Sequence, residues 1–259
     1  VPEGDAVYRT AARLRGALDG RTLTRSDFRV PRHATADLTG RAVVTTLSRG
    51  KHLITRVEGG LTVHTHLRMD GSWLVTPAGR RTAPGDRVRL ILANAEWQAV
   101  GVRLGMVDLV RTDDEARLVG HLGPDLLGAD WDPEEAVRRL RAEPGRTIGE
   151  ALLDQRNLAG IGTIYRAETL FLRGVWPWKK VGEIEDLDGL VSLAQRLLDG
   201  NKGLAGTVTT GDRRPANATW VYGRAGRPCR RCGTRISRGE MGMRPQERLI
   251  LWCAGCQPR

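Results

Sequence analysis

Four cysteines, Cys229, Cys232, Cys253 and Cys256, are all that the 259-residue chain contains. They form two C-x-x-C pairs with twenty residues between them. Each C-x-x-C turn brings two thiolates together, and a β-hairpin between the turns can bring the pairs together. Four thiolates about 2.3 Å from one ion make a closed tetrahedral Zn²⁺ site, structural because no coordination position stays open. Two disulfides are the competing reading. The chain has no signal-peptide pattern, so a reducing compartment is expected and the disulfides are disfavoured. Between and beside the pairs stand Arg230, Arg231, Arg235, Arg238, Arg244 and Arg248. Guanidinium groups on a hairpin tip suit phosphates, which they grip bidentately. A merely solvated basic ribbon is the alternative.

Other chemistry-bearing residues lie upstream. Lysine occurs only at 51, 179, 180 and 202, which makes Lys51 conspicuous in an arginine-rich chain. His64 and His66, two apart, share one face of a strand. They lack a third metal ligand nearby, so His66 is expected to be a polar contact near a site. Gly160-Ile161-Gly162 separates two helical stretches, and a helix N-terminus after such a glycine turn binds phosphate well. A dinucleotide fingerprint fails there: Tyr165 occupies the third glycine's place, and a helix precedes where a strand is required. Pro2-Glu3-Gly4-Asp5 reads as an ordinary helix start, with an early proline and a carboxylate near the positive end of the dipole.

These residues need elements to carry them. Val7, Ala11, Leu14 and Leu18 recur at helical spacing, which predicts a helix over residues 2–20 ended by Gly20. Short β-branched runs at 41–47, 52–57, 61–67, 87–92 and 106–110, split by Gly and Pro turns, predict a β-sandwich, with Glu58-Gly59-Gly60 as a hairpin turn. Residues 112–131 read as a linker. Asp132-Pro133-Glu134-Glu135 is a cap, an N1 proline and an acidic first turn. Thr147-Ile148-Gly149-Glu150 is a capping box opening a helix to about residue 156. Helices are expected at 164–172 and 186–199, then a mobile loop over 200–219. The fold class is α+β. Residues 1–111 hold the N-terminal helix and sandwich, 132–219 a helical domain and 220–259 a zinc ribbon.

The formal charge is +11, which points to an anionic partner, most simply nucleic acid. A membrane partner is not expected, because no apolar run reaches transmembrane length.

Read together, the motifs resemble the bacterial formamidopyrimidine-DNA glycosylase / endonuclease VIII family from end to end. They are Pro2-Glu3-Gly4, Arg49-Gly50-Lys51 and His66-Leu67-Arg68-Met69-Asp70-Gly71-Ser72. Then come Leu153-Asp154-Gln155 with Ala159-Gly160-Ile161-Gly162 and Ile164-Tyr165, similar to the helix–two-turn–helix, and finally Val221-Tyr222-Gly223-Arg224 and the cysteine quartet. The resemblance implies a bifunctional glycosylase and abasic-site lyase of base excision repair, acting as a cytoplasmic monomer on damaged DNA with one structural Zn²⁺. It implies Pro2 as the amine nucleophile, Glu3 as general acid, Lys51 as a phosphate contact and proton-transfer aid, and Arg248 as the ribbon arginine that grips phosphates and aids the second elimination. DNA contacts fall to His66, Arg68, Met69, Gly162, Thr163 and Arg248. Val1 precedes Pro2, and an acylated proline nitrogen has no lone pair to give. The expectation is a non-AUG initiator that is removed, so that the mature protein starts at Pro2.

Four departures from the family pattern bear on substrate. Thr163 stands in place of a phosphate-binding asparagine, and Ala6 in place of a glutamate. Val102 and Leu104 stand where the formamidopyrimidine branch carries an arginine and a phenylalanine wedge, while Met69 keeps the third wedge position. The 200–219 loop lacks the aromatic-glycine pattern that closes over 8-oxoguanine. Together they shift the expected substrate toward oxidised pyrimidines and ring-opened or hydantoin lesions. A non-catalytic zinc-dependent DNA-binding or lesion-sensing protein is the alternative, and an RNA-associated zinc-ribbon protein a weaker third reading.

Overall fold

The computed structural model describes residues 2–80 and 85–259, so Val1 lies outside the described residues. The chain divides into two compact units, Val1–His121 and Leu122–Arg259.

The first unit opens with α1 (Gly4–Leu18), whose buried stripe holds Val7, Ala11, Leu14 and Leu18, the spacing read from sequence. It ends at Asp19, and Gly20 turns the chain with φ 72°. The strands are β1 (Arg25–Phe28), β2 (Val43–Arg49), β3 (His52–Val57), β4 (Leu61–His66), β5 (Ser72–Pro77), β6 (Val88–Ala93), β7 (Trp97–Val102) and β8 (Met106–Arg111). They form two four-stranded sheets in the orders β1-β6-β7-β5 and β2-β3-β4-β8. Leu14, Leu18, Leu53, Val63, Trp73, Leu90 and Val107 merge helix and both sheets into one core, as expected of a sandwich with an N-terminal helix. Glu58-Gly59-Gly60 closes the β3–β4 hairpin, with φ of 86° and 70° at the two glycines. β1, β5 and β7 were not expected.

The supposed linker is in part structured. A 3₁₀ turn at Thr112–Asp114 leads into α2 (Ala116–Val119). Between them Glu115 accepts Arg56 Nε and Nη2, both at 2.8 Å, and the Thr62 hydroxyl. A carboxylate bonded bidentately to a sheet arginine holds this segment to the first unit.

The second unit contains α3 (Pro133–Arg141), α4 (Ile148–Ala151), α5 (Thr163–Leu172), α6 (Leu187–Asn201) and the hairpin β9 (Ile236–Met241) with β10 (Arg248–Cys253). Asp132 caps α3 by accepting Glu135 N at 3.0 Å, with Pro133 at N1, as the sequence predicts. At α4 two expectations fail. The helix is one turn long, and Thr147 gives its hydroxyl to the Glu150 carboxylate instead of accepting a backbone N–H. One face of α5 meets Leu140, Leu152 and Leu190, and another packs with Phe171 against Ile236, Met241 and Ile250. The 200–219 segment, expected to be mobile, is laced to itself. Thr209 N and Thr210 N both reach Ala218 O, and the Thr210 hydroxyl reaches Asn217 O at 2.7 Å. Buried Glu168 accepts the backbone N–H groups of Trp220, Val221 and Tyr222, holding that motif on α5.

Candidate active site and nucleic-acid interface

In the first unit, Glu3 is the N-cap of α1, with extended backbone and its carbonyl accepting Val7 N at 3.0 Å. Its side chain is 2% exposed and makes no cap bond. Asp5, also buried, pairs with Arg9 at 3.0 Å. Two buried carboxylates therefore stand in the positive field of one helix N-terminus, which favours negative charge there. Asp5 adds a carboxylate close to the one missing at Ala6.

β2 runs antiparallel to α1. Gly20 N reaches Val43 O at 2.8 Å and Arg15 Nε reaches Thr46 O at 3.0 Å, so the strand starts at the helix C-terminus and heads back toward its beginning. A fifteen-residue helix and a seven-residue strand both span about 22 Å. The turn after β2 therefore lies at the end of the helix that carries Pro2 and Glu3. That turn is Gly50-Lys51: Arg49 pairs with His52, and Gly50 has φ 56°. Two-residue hairpins want a positive φ at the first turn position, which Gly supplies.

The segment after β4 is a tight turn with Gly71 N bonded to Leu67 O at 2.9 Å. A Cβ at Gly71 would lie 2.4 Å from that carbonyl, so only glycine fits. Arg68 has φ 51°, and its backbone N–H donates to His66 Nδ1 at 2.9 Å. Since that N–H can only donate, His66 carries its proton on Nε2, a donor suited to a phosphate oxygen. Met69 is thrust outward, 65% exposed. Leu104 goes the other way: 6% exposed, it sits in the core against Gly101 and cannot enter DNA as a wedge.

Sequence reasoning missed a histidine cluster at this end. The His52 and His66 rings meet edge-on at 4.8 Å, those of His52 and His64 stack at 5.1 Å, and His121 stands 6.4 Å from His52. Burial, with the neighbouring His66, His64, His121 and Lys51, lowers His52 to about 3. Burial and Arg68 lower His66 to about 4. Burial lowers His64 as well, against the pull of Asp108. The signal was available: in a hairpin centred on Gly59, residues whose numbers sum to 118 face each other, and 52 and 66 do.

In the second unit Gln155 builds the double turn. Its Nε2 donates to Leu153 O and Ile161 O, and its Oε1 accepts Gly160 N, all at 3.0 Å. Gly160 has φ 105°. Gly162 is the N-cap of α5, with extended backbone and no side chain of its own to cap the turn, and Thr163 is the first helical residue. The dipole and the geometry suit an anion.

The four cysteine sulfurs lie within 4.8 Å of one another. Cys229–Cys256 is 3.8 Å, Cys232–Cys253 3.4 Å and Cys232–Cys256 3.5 Å. Sulfurs on a tetrahedron of 2.3 Å bonds lie about 3.8 Å apart, so the quartet fits a zinc. Hydrogen bonds from Thr234 and from the neighbouring thiols lower Cys232, while burial raises Cys253 and Cys256. At Gly255 a Cβ would press on Thr234 at 2.7 Å and on the Cys232 sulfur at 3.1 Å. Arg248 opens β10, exposed, with Nη1 on the carbonyls of Gln246 and Glu247 at 3.1 Å.

Residues 1–109 match the formamidopyrimidine-DNA glycosylase N-terminal domain, and residues 122–198 match the formamidopyrimidine-DNA glycosylase H2TH domain. The chain belongs to the formamidopyrimidine-DNA glycosylase / endonuclease VIII family. Within the family it is 56% identical to a probable endonuclease 8 2 of Streptomyces coelicolor, covering 99% of this chain and 94% of the relative. It is 45% identical to the DNA-(apurinic or apyrimidinic site) lyase Nei2 of Mycolicibacterium smegmatis, covering 99% of each. These relatives place it on the endonuclease VIII side of the family. Lactococcus lactis Fpg in complex with DNA containing N7-benzyl-Fapy-dG is similar throughout, with a TM-score of 0.83 at 25% identity over 100% of both chains.

Proposed function

We propose that the chain is a bifunctional DNA glycosylase and abasic-site lyase of base excision repair. It removes oxidised bases, pyrimidines preferentially, and cleaves the abasic site by β,δ-elimination. The observation that carries the reading is Glu3: a carboxylate buried at the head of α1, directly after a proline, at the end of the unit that bears the Lys51 turn.

The chemistry follows from these groups. A free Pro2 nitrogen is a secondary amine with a pKa near 8, partly unprotonated at neutral pH. It attacks C1′ of an extruded nucleotide, since the anomeric carbon is shielded in stacked duplex. The C1′–N bond breaks, the base leaves with its electron pair, and Glu3 supplies a proton at the sugar ring oxygen, which opens the ring. The attacking nitrogen gives its N–H proton to the departing base, and the regained lone pair closes an iminium as the C1′–O4′ bond breaks. Loss of a C2′ proton then expels the 3′ phosphate. A second elimination, aided by Arg248, expels the 5′ phosphate. Lys51, His66 and Arg68 contact phosphates, Met69 fills the space left by the extruded base, and Gly162 and Thr163 hold a phosphate at the α5 N-terminus. Cys229, Cys232, Cys253 and Cys256 would hold one zinc, which fixes the ribbon and takes no part in the reaction. The enzyme acts as a monomer. Borohydride trapping on DNA with an abasic site tests the assignment: a covalent adduct is expected, and its absence with folded, zinc-loaded protein rejects it.

A further inference from the structure

Three strands bring an unusual polar line to the sheet face turned away from the core. His52 begins β3, His66 ends β4 opposite it, and His64 lies diagonal to His52 on the same face. Asp108 on β8 pairs with His64 in register. His64 Nδ1 is 3.2 Å from Asp108 Oδ2, and His64 Nε2 is 2.8 Å from His52 Nδ1. We infer that Asp108, His64 and His52 form a one-directional hydrogen-bond chain that positions Lys51 and His66 for catalysis.

The direction follows from donor and acceptor capacity. A carboxylate accepts only, so His64 Nδ1 carries a proton and donates it to Asp108. A neutral His64 then offers only a lone pair at Nε2. His52 Nδ1 must therefore be the donor to it, which leaves a lone pair on His52 Nε2. Each ring carries one proton, and burial keeps all three strand histidines neutral at pH 7. The charged groups around the line are Lys51 and Arg68 at its open end, and Arg32, 3.6 Å from Asp108, at the other; His121 stands beside His52. A second proton on His64 would set N–H against N–H at His52 and break the chain.

His52 is bonded directly to Lys51 and closes the two-residue turn. A ring locked by one hydrogen bond and one stacking contact cannot rotate. The His66 ring rests edge-on against it, and the Arg68 N–H fixes the opposite nitrogen of His66. The Lys51 backbone and the His66 Nε2–H are thus held in place before DNA arrives, the condition for a positioned proton-transfer or phosphate-binding group. An apolar residue would fill the His64 site, 1% exposed, without the desolvation cost of an imidazole. Asp108, His64 and His52 are accordingly positioning residues. Their effect rests on the lyase reading above.

The test uses the zinc-loaded, full-length protein with two readouts. Long-range ¹H–¹⁵N spectra of the imidazoles should give Nδ1–H at His64 and His52 and Nε2–H at His66. Asp108→Ala, a change at a partly exposed site, should release the tautomers of His64 and His52. It should slow single-turnover cleavage of abasic DNA about tenfold with little change in Kd. His64→Gln can still donate to Asp108 and accept from His52, so it should retain more rate than His64→Leu. The inference is overturned if wild-type His52 carries its proton on Nε2, if Asp108→Ala cleaves at the wild-type rate, or if Gln and Leu at 64 are equally slow. Wild-type protein inert on abasic DNA would instead overturn the activity itself.

Discussion

Arg166 donates Nη2 to the carbonyl of Leu249 at 2.6 Å, one residue beyond Arg248. The side chain is fully buried on α5, with Nη1 reaching Gly149 O at 3.2 Å and Met241 Sδ at 3.9 Å. One guanidinium thus joins α4, α5 and the end of each ribbon strand next to the tip. Arg166→Met would leave the buried Gly149 carbonyl and the partly buried Leu249 carbonyl without this donor, a cost of about 1–3 kcal/mol. Zinc content should be unchanged, while cleavage products shift from δ- toward β-elimination. Urea unfolding, metal analysis and product gels check this, and a wild-type midpoint with wild-type products rejects it.

Zinc removal should disorder the ribbon, because such sites couple metal binding to folding. Trp252, adjacent to Cys253, lies edge-on to Trp176 at 5.5 Å and to Trp178 at 4.9 Å, which makes the trio a near-ultraviolet reporter. One zinc per chain is expected. Cys253→Ser should lose the metal, the tryptophan dichroism and DNA affinity together. Active protein free of zinc would contradict the assignment.

Glu3→Gln keeps the Pro2 nitrogen and the buried volume but removes the acid. Base excision should fall at least about a hundredfold, the lower range for general acid catalysis. Cleavage of a preformed abasic site should fall much less, since its sugar already offers an aldehyde. Equal losses on the two substrates would remove Glu3 from the ring-opening step.

Oxidised pyrimidines should be excised faster than 8-oxoguanine opposite cytosine. Leu104 is folded into the core, and of the three wedge positions only Met69 is exposed, so the opposite strand has less to hold it. Met69→Ala should slow excision from duplex more than from a bubble. Single-turnover rates on matched duplexes decide this, and faster release of 8-oxoguanine would reverse the preference.

Histidines held neutral by burial make stability depend on pH. The folded pKa values, about 3 for His52 and about 4 for His66, lie below the unfolded value near 6.5. As pH falls below about 6.5 the unfolded chain takes up protons that the folded chain refuses. Stability is therefore full above that pH and falls by up to about 1.4 kcal/mol per pH unit per histidine toward the folded values. Urea midpoints between pH 7 and pH 5 should fall, and less steeply in His52→Gln. A flat profile would show the rings to be freely protonated.

Much of this was legible in the sequence because it rests on local rules. The α1 stripe, the Asp132 cap, the glycine hairpin and the cysteine pairs each occupy one short window. β1, β5 and β7 escaped because Arg25–Phe28 is short and polar, β5 ends in Pro77 and β7 carries Gly101. The link from His64 to Asp108 spans 44 residues and depends on the β4–β8 register, which no local pattern encodes. Arg166 was likewise silent, an ordinary helix residue until a ribbon 83 positions later folds over it.

The placement of Lys51 on its glycine turn also determines how the linkage can be mapped. No other lysine occurs among the first 178 residues. A protein beginning at Pro2 therefore has two aliphatic amines in that stretch, one secondary and one primary. Reduction of the adduct followed by peptide sequencing has two addresses to distinguish, and they fall in different proteolytic fragments. The scarcity of lysine lets a single digest report which nitrogen carried the sugar.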